Sequence, residues 1–225
     1  MAITTTDSAL LRLLQLSSAA LPVGGYAFSQ GMETAVEKGW LRDAEAVGDW
    51  LAVQLQESLA RVDLPLLQRA LWGARARDFE RLWYWNDYTL ACRETAELRL
   101  TDTAMGAALI KLLENLAIPT PRPAPAAHSF VTAFAIAGAH WQLDSRAACH
   151  GYVWAWLENQ VAAATKLVPL GQSSAQRLLG QLLETVPTAV DNAQRVADDE
   201  IGASLPGLAM ASVWHETQYS RLFRS

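Results

Sequence analysis

The chain has 225 residues, 51% of them hydrophobic, enough for one sizeable core, and eighteen basic residues against twenty-three acidic give a net charge of −5. Neither sign gathers into a long run, so the electrostatic footprint of nucleic-acid binding is missing. Two cysteines without CxxC spacing, and no charged n-region leading into an apolar stretch and cleavage site, make a cytoplasmic protein the expectation. The longest uncharged stretch, Pro123 to Leu143, carries two prolines and two histidines and does not read as a membrane span.

Helical spacing recurs along the chain and strand alternation does not. Ser8 to Ala20 reads as a leucine-rich helix, with Asp7 as its expected cap. LPVGGYAFSQGME, Leu21 to Glu33, breaks that run with Pro22, Gly24 and Gly25, and Ser29 reads as a helix-start residue with Glu33 in the first turn. Gly39 stands where a left-handed residue ends a helix. Asp43 opens the next helix, whose stripe is Val47, Trp50, Leu51, Leu55 and Leu59, and Asp78 opens another. Arg93 to Arg99, RETAELR, places alternating charges on a helix, with Arg93 and Glu97 four apart as on a solvated face; a charged docking surface is the functional alternative.

Met105, Ala108, Leu109, Leu112, Leu113 and Leu116 form one continuous stripe. Prolines 119, 121, 123 and 125 then exclude helix and read as a surface crossover within a single domain, 1–225, with a linker between two domains as the alternative. A helix from Asp144 to about Lys166 is apolar nearly all round and is expected at the centre of the core. Lys166-Leu-Val-Pro-Leu-Gly-Gln172 turns into the next helix, with Gln172 or Ser173 as its cap, and Ala175 to Val186 carries the last firm stripe. The expected fold is all-α, roughly nine or ten helices in one bundle. Most of the nine tryptophans are expected to fill the core, with a minority at an interface.

Three kinds of chemistry are weighed against these elements. A phosphate loop fails, because Gly25 and Gly31 enclose five residues and Met32-Glu33 follow where Lys-Ser/Thr belongs. Ala27-Phe28-Ser29-Gln30-Gly31 is a relaxed nucleophile elbow, the basis for a serine hydrolase using Ser29, but the segment before it is helical where an elbow needs a strand. His128, His140, Cys149, His150 and His215 are metal-ligand types, yet no pair has the i, i+4 spacing, and His215-Glu-Thr-Gln-Tyr219 puts Tyr219 in place of the second ligand of H-E-x-x-H. Direct metal binding rests on these residues alone. The final HETQYSRLFRS has the aromatic and arginine composition of binding hot spots, so residues 215–225 read as a tail that orders against a partner, with packing back on its own domain as the alternative.

Four separated stretches together resemble the UreF family of urease accessory proteins: LLRLLQLSSAALPVGGYAFSQGMETAVEKGW, CRETAELR, KLVPLGQSSAQ and HETQYSRLFRS. The resemblance spans nearly the whole chain except the Pro-rich crossover. It implies an all-helical, dimer-forming protein that is not an enzyme, holds no cofactor of its own, and bridges UreD (UreH in some systems) and the GTPase UreG in the complex that loads nickel into apo-urease. Modulation of UreG GTPase activity, with Lys166 and the tail arginines as its groups, is a further implied role.

Carried onto this chain, the family's partner-binding motifs fall on Tyr26, Phe28, Ser29, Gln30 and Glu33; on Arg93, Glu94, Glu97 and Arg99; on Lys166, Pro169, Gly171 and Gln172; and on His215, Glu216, Tyr219, Arg221 and Arg224. Ala27 departs from the family pattern, where serine or another small polar residue is common.

Overall fold

The computed structural model describes residues 6–225, and among them there is helix and no strand. The chain runs through α1 (Asp7–Leu16), a short 3-10 turn (Gly25–Ala27), α2 (Met32–Glu37), α3 (Ala44–Gln54), a π-helical segment (Leu55–Asp63), α4 (Leu64–Ala76), α5 (Phe79–Ala91), α6 (Ala96–Asn115), α7 (Phe130–His140), α8 (Ser145–Leu167), α9 (Gln172–Leu183), α10 (Val186–Ala193), a 3-10 turn (Asp198–Glu200) and α11 (Pro206–Glu216).

The starts follow the side-chain chemistry. Asp43, Asp78 and Asp144 each accept the main-chain N–H three residues on, from Ala46 at 2.9 Å, Arg81 at 3.0 Å and Ala147 at 3.0 Å. At α1 the cap is Thr6, not Asp7: its hydroxyl accepts from Ala9, and Asp7 becomes the first helical residue, where its charge favours the positive end of the helix dipole. Gly171, without a side-chain bond, precedes α9, so Gln172 and Ser173 are not its caps. Gly39 is left-handed, with φ of 72°, as its position after α2 demands.

The stripe Val47, Leu51, Leu55 and Leu59 is buried as its spacing requires, but it crosses out of α3 into the π segment. α3, this segment and α4 therefore form one continuous rod. The wider π turn displaces each later residue around the axis, and it ends on Asp63, a carboxylate in an otherwise apolar run.

The helix buried all round is α7, where every residue from Phe130 to Gly138 is inside and packs between α4 and α6. α8 also lies at the centre, as expected: it packs against α1, α2, α3, α4, α7, α9 and α10, buries Tyr152, Val153, Leu157 and Val161, half-buries Trp154 and Trp156, and exposes only Ala162 and Lys166. The uncharged stretch before residue 143 is thus a core helix behind an irregular crossover. No helix of the described residues is long and apolar enough to cross a membrane. Of the nine tryptophans Trp85 is buried in the core and Trp50, Trp83, Trp141, Trp154 and Trp156 pack partly buried against it, as expected for most of them, while Trp40, Trp72 and Trp214 are exposed.

Candidate partner interface

The four motifs, far apart in sequence, meet around the last residues of the chain. Phe223 is buried, and the main-chain N–H groups of Leu222 and Phe223 donate to Glu33 of α2 at 2.7 and 2.9 Å. The Arg224 N–H donates to the Ala27 carbonyl at 2.8 Å. The Ser29 and Gln30 N–H groups donate to the Ser225 main-chain oxygen at 2.6 and 3.1 Å, and the Ser29 hydroxyl donates to the same atom. The break at Gly24 and Gly25 therefore shapes a loop whose main-chain donors grip the tail. In this chain the tail packs back upon its own domain.

His215, fully buried at the end of α11, joins three elements. Its Nδ1 lies 2.8 Å from a Glu97 oxygen on α6, and its Nε2 lies 3.1 Å from Glu33 on α2. Arg221 of the tail adds a donor to Glu97 at 3.2 Å. The two carboxylates sit on opposite ring nitrogens and do not converge on one point. Among the described residues no group of three or more His, Cys, Asp or Glu side chains is placed to hold a metal ion.

The central motif behaves differently from its sequence pattern. Arg93 lies before α6, whose cap is Thr95, so Arg93 and Glu97 do not form a helical i, i+4 pair. Arg93 instead turns inward and donates to Asp63 at 2.8 and 3.2 Å and to Asp102 at 2.9 Å. Asp63 also accepts the Tyr152 hydroxyl at 2.9 Å, and Asp102 accepts the Phe130 N–H that begins α7. Burial opposes the Arg93 charge, but Asp102 and Asp63 outweigh it and hold the guanidinium well above its ordinary value. Burial raises the Asp102 carboxyl, with Arg93 pulling it partly back, and burial followed by the Asp63 charge pushes the Tyr152 phenol well up. The solvated-face reading of Arg93 and Glu97 is overturned: both are structural ions, because each finds its partners across helices rather than along one.

Position then divides the motif residues. Phe28, Ser29, Glu33, Glu97 and His215 are buried and hold the surface from beneath, so direct docking through them is not what the isolated chain offers. Tyr26, Glu94, Arg99, Lys166, Gln172, Glu216, Tyr219, Arg221 and Arg224 are exposed. Two of these stack on the tail region: Lys166 lies 5.5 Å from the Phe223 ring and Arg224 lies 5.6 Å from the Phe28 ring. Gln30 accepts from the Trp156 indole at 2.9 Å, while Glu94 accepts from Ser204 and Arg99 donates to the Leu90 carbonyl. Gln172 has no contact that ties it to the tail. The Ser29 hydroxyl is fully buried and donates to the Ser225 main-chain oxygen, rather than standing exposed as the nucleophile of an elbow would.

Sequence reading missed Asp63, Asp102 and Tyr152. A carboxylate between Val62 and Leu64 is the one signal that pointed there, since a charge in an apolar run needs a partner.

Fold and site together define an all-α bundle organised around a folded-back carboxy-terminal segment. A UreF family model matches residues 41–183. Proteins named urease accessory protein UreF are similar over nearly the full chain: one from Marinomonas sp. (strain MWYL1) is 57% identical, covering 99% of this chain and 97% of its own length. One from Alkalilimnicola ehrlichii is 49% identical with 95% of each chain covered, and one from Hahella chejuensis is 46% identical, covering 96% of this chain and 98% of its own length. The chain belongs to the UreF family of urease accessory proteins.

Proposed function

We propose that this chain is the bridging component of a urease-maturation complex, docking UreD/UreH and the GTPase UreG through the surface built on its last residues, while nickel passes through the assembly as cargo to apo-urease. The observation that carries the reading is the convergence of all four motifs on the segment from His215 to Ser225. Buried members of the motifs fix the shape, and exposed Tyr219, Arg221, Arg224 and Lys166 supply aromatic and cationic contact groups of the hot-spot type. Lys166 and Arg224 are also the groups through which the chain modulates UreG GTPase activity, since cations act on phosphoryl transfer by stabilising its charge. The chain itself performs no catalysis in this reading.

Homodimerisation belongs to the same proposal. Leu10, Leu11 and Leu14 leave one face of α1 apolar and exposed, the kind of surface a second copy buries. Cytoplasmic assembly accords with two free cysteines. The test is deletion of Tyr219 to Ser225 in the full complex. It is expected to leave far-UV helicity unchanged and abolish UreG capture by the UreD-bound chain. Undiminished capture would overturn the proposal.

A further inference from the structure

A second surface lies on elements that hold none of the four motifs. Between the end of α4, the start of α5, the end of α7 and the Pro-rich crossover is a cleft of about 790 Å³. Its cationic lining is Arg75, Arg77 and Arg122, with His140 beside them, and no carboxylate lines it. In a chain of net charge −5 Arg77 places an unpaired positive charge at this cleft. Arg77 closes α4 in the left-handed conformation, φ 56°, and its side chain has no ion-pair or hydrogen-bond partner among the described residues. Arg75 donates to the Leu143 carbonyl, and Arg122 pairs with Glu114 at 2.7 Å near solvent, a pair that costs little to exchange.

The crossover supplies the second feature. Its prolines fix φ at 119, 121, 123 and 125 and bias the residue before each towards extended backbone, but the chain bends at 122–123, across the cis Arg122–Pro123 bond, and the extended part ends at Arg122. Among the described residues, no hydrogen bond engages the main chain from 119 to 126. Thr120 and Arg122 line the cleft and carry main-chain donors and acceptors that have no hydrogen-bond partner among the described residues. Phe79, Ile136 and Ala139 give it an apolar floor. A small anion would use the charge and leave both the extended edge and the floor idle.

We propose that this cleft is a docking site for an extended acidic peptide segment of a partner protein, paired along the crossover by main-chain hydrogen bonds and held by Arg75, Arg77 and Arg122. Main-chain pairing gives register and the guanidinium groups select carboxylates. The site is independent of the tail surface, so both can be occupied together.

The test uses the full chain and a fluorescein-labelled octapeptide of alternating Glu and Val, read by anisotropy at low salt. The expected result is saturable binding that weakens as salt rises. Arg77→Glu/Arg122→Glu is expected to lower affinity at least about tenfold, with Arg77→Lys/Arg122→Lys retaining most of it. N-methylation of alternate peptide residues is expected to weaken binding, and amide resonances of Thr120 and Arg122 are expected to shift on titration. Absence of saturable binding, or equal affinity for the charge-reversed chain, overturns the proposal. So does competition at equal charge by inorganic phosphate or an oligoribonucleotide, which would mean that the cleft reads charge alone.

Discussion

Replacing Glu33 with alanine tests the clamp that holds the tail. One carboxylate receives the Leu222 and Phe223 N–H groups and faces His215 Nε2 at 3.1 Å, all at a site where Glu33 is 8% exposed and His215 is 0% exposed. Hydrogen bonds to a charged acceptor contribute about 1.5–3 kcal/mol each, and stripping one partner from a buried charged cluster costs about 3–5 kcal/mol. We expect Glu33→Ala to weaken tail docking by about 3–5 kcal/mol. At about 1.4 kcal/mol per tenfold, that is a hundredfold or greater rise in the opening of the tail. Native-state amide exchange at Leu222 and Phe223 reads this directly, because these are the amides that Glu33 binds. Glu33→Gln keeps one acceptor oxygen and should fall between the two. Unchanged protection of both amides in Glu33→Ala, with the fold intact by circular dichroism, would refute the clamp.

Three further outcomes are expected from the same physics. Arg93→Met leaves Asp63 and Asp102 buried beside each other without their cation and should destabilise the fold by about 3–5 kcal/mol in urea titration. Gly106→Ala and Gly180→Ala should have opposite signs although both sit within helices: a methyl at 106 meets the His128 carbonyl of a fixed main chain, whereas one at 180 meets open space. Thermal melts should show the first destabilised by about 1–3 kcal/mol or more and the second stabilised by about 0.5–1 kcal/mol. His128 and His150 are both held below their ordinary value by burial, with Arg122 and Arg146 adding to it, so the unfolded chain binds more protons near and below pH 6.5. Their contribution is therefore present above that range and lost as pH falls through it. His128→Gln/His150→Gln should flatten the dependence of melting temperature on pH between 5.5 and 7.5 relative to the parent chain.

Much of the fold was legible because local signals agreed. Asp43, Asp78 and Asp144 cap where their positions before apolar runs predict, and the stripes at 105–116 and 175–186 lie on α6 and α9 with its continuation into α10. The π segment was not legible: it preserves composition and apolar spacing, and only its hydrogen bonding differs. Arg93 was misread for a related reason. Its i, i+4 neighbour Glu97 suggests a surface pair, but its actual partners Asp63 and Asp102 come from two other turns of chain, and only packing brings them together. The candidate site was legible as four motifs but not as one place. Nothing in the spacing of Glu33, Glu97 and His215 says that they share a single buried contact.

The interface account stands most directly on whether the buried clamp sets up the exposed surface. Capture of UreG by the UreD-bound chain should be measured for Glu33→Ala beside the parent, with helicity and UreD binding checked in both. Because Glu33 is buried in the chain and reaches the surface only through the tail, the account predicts capture reduced nearly as far as by removing Tyr219 to Ser225. Parental capture by a folded, UreD-bound Glu33→Ala chain would contradict it.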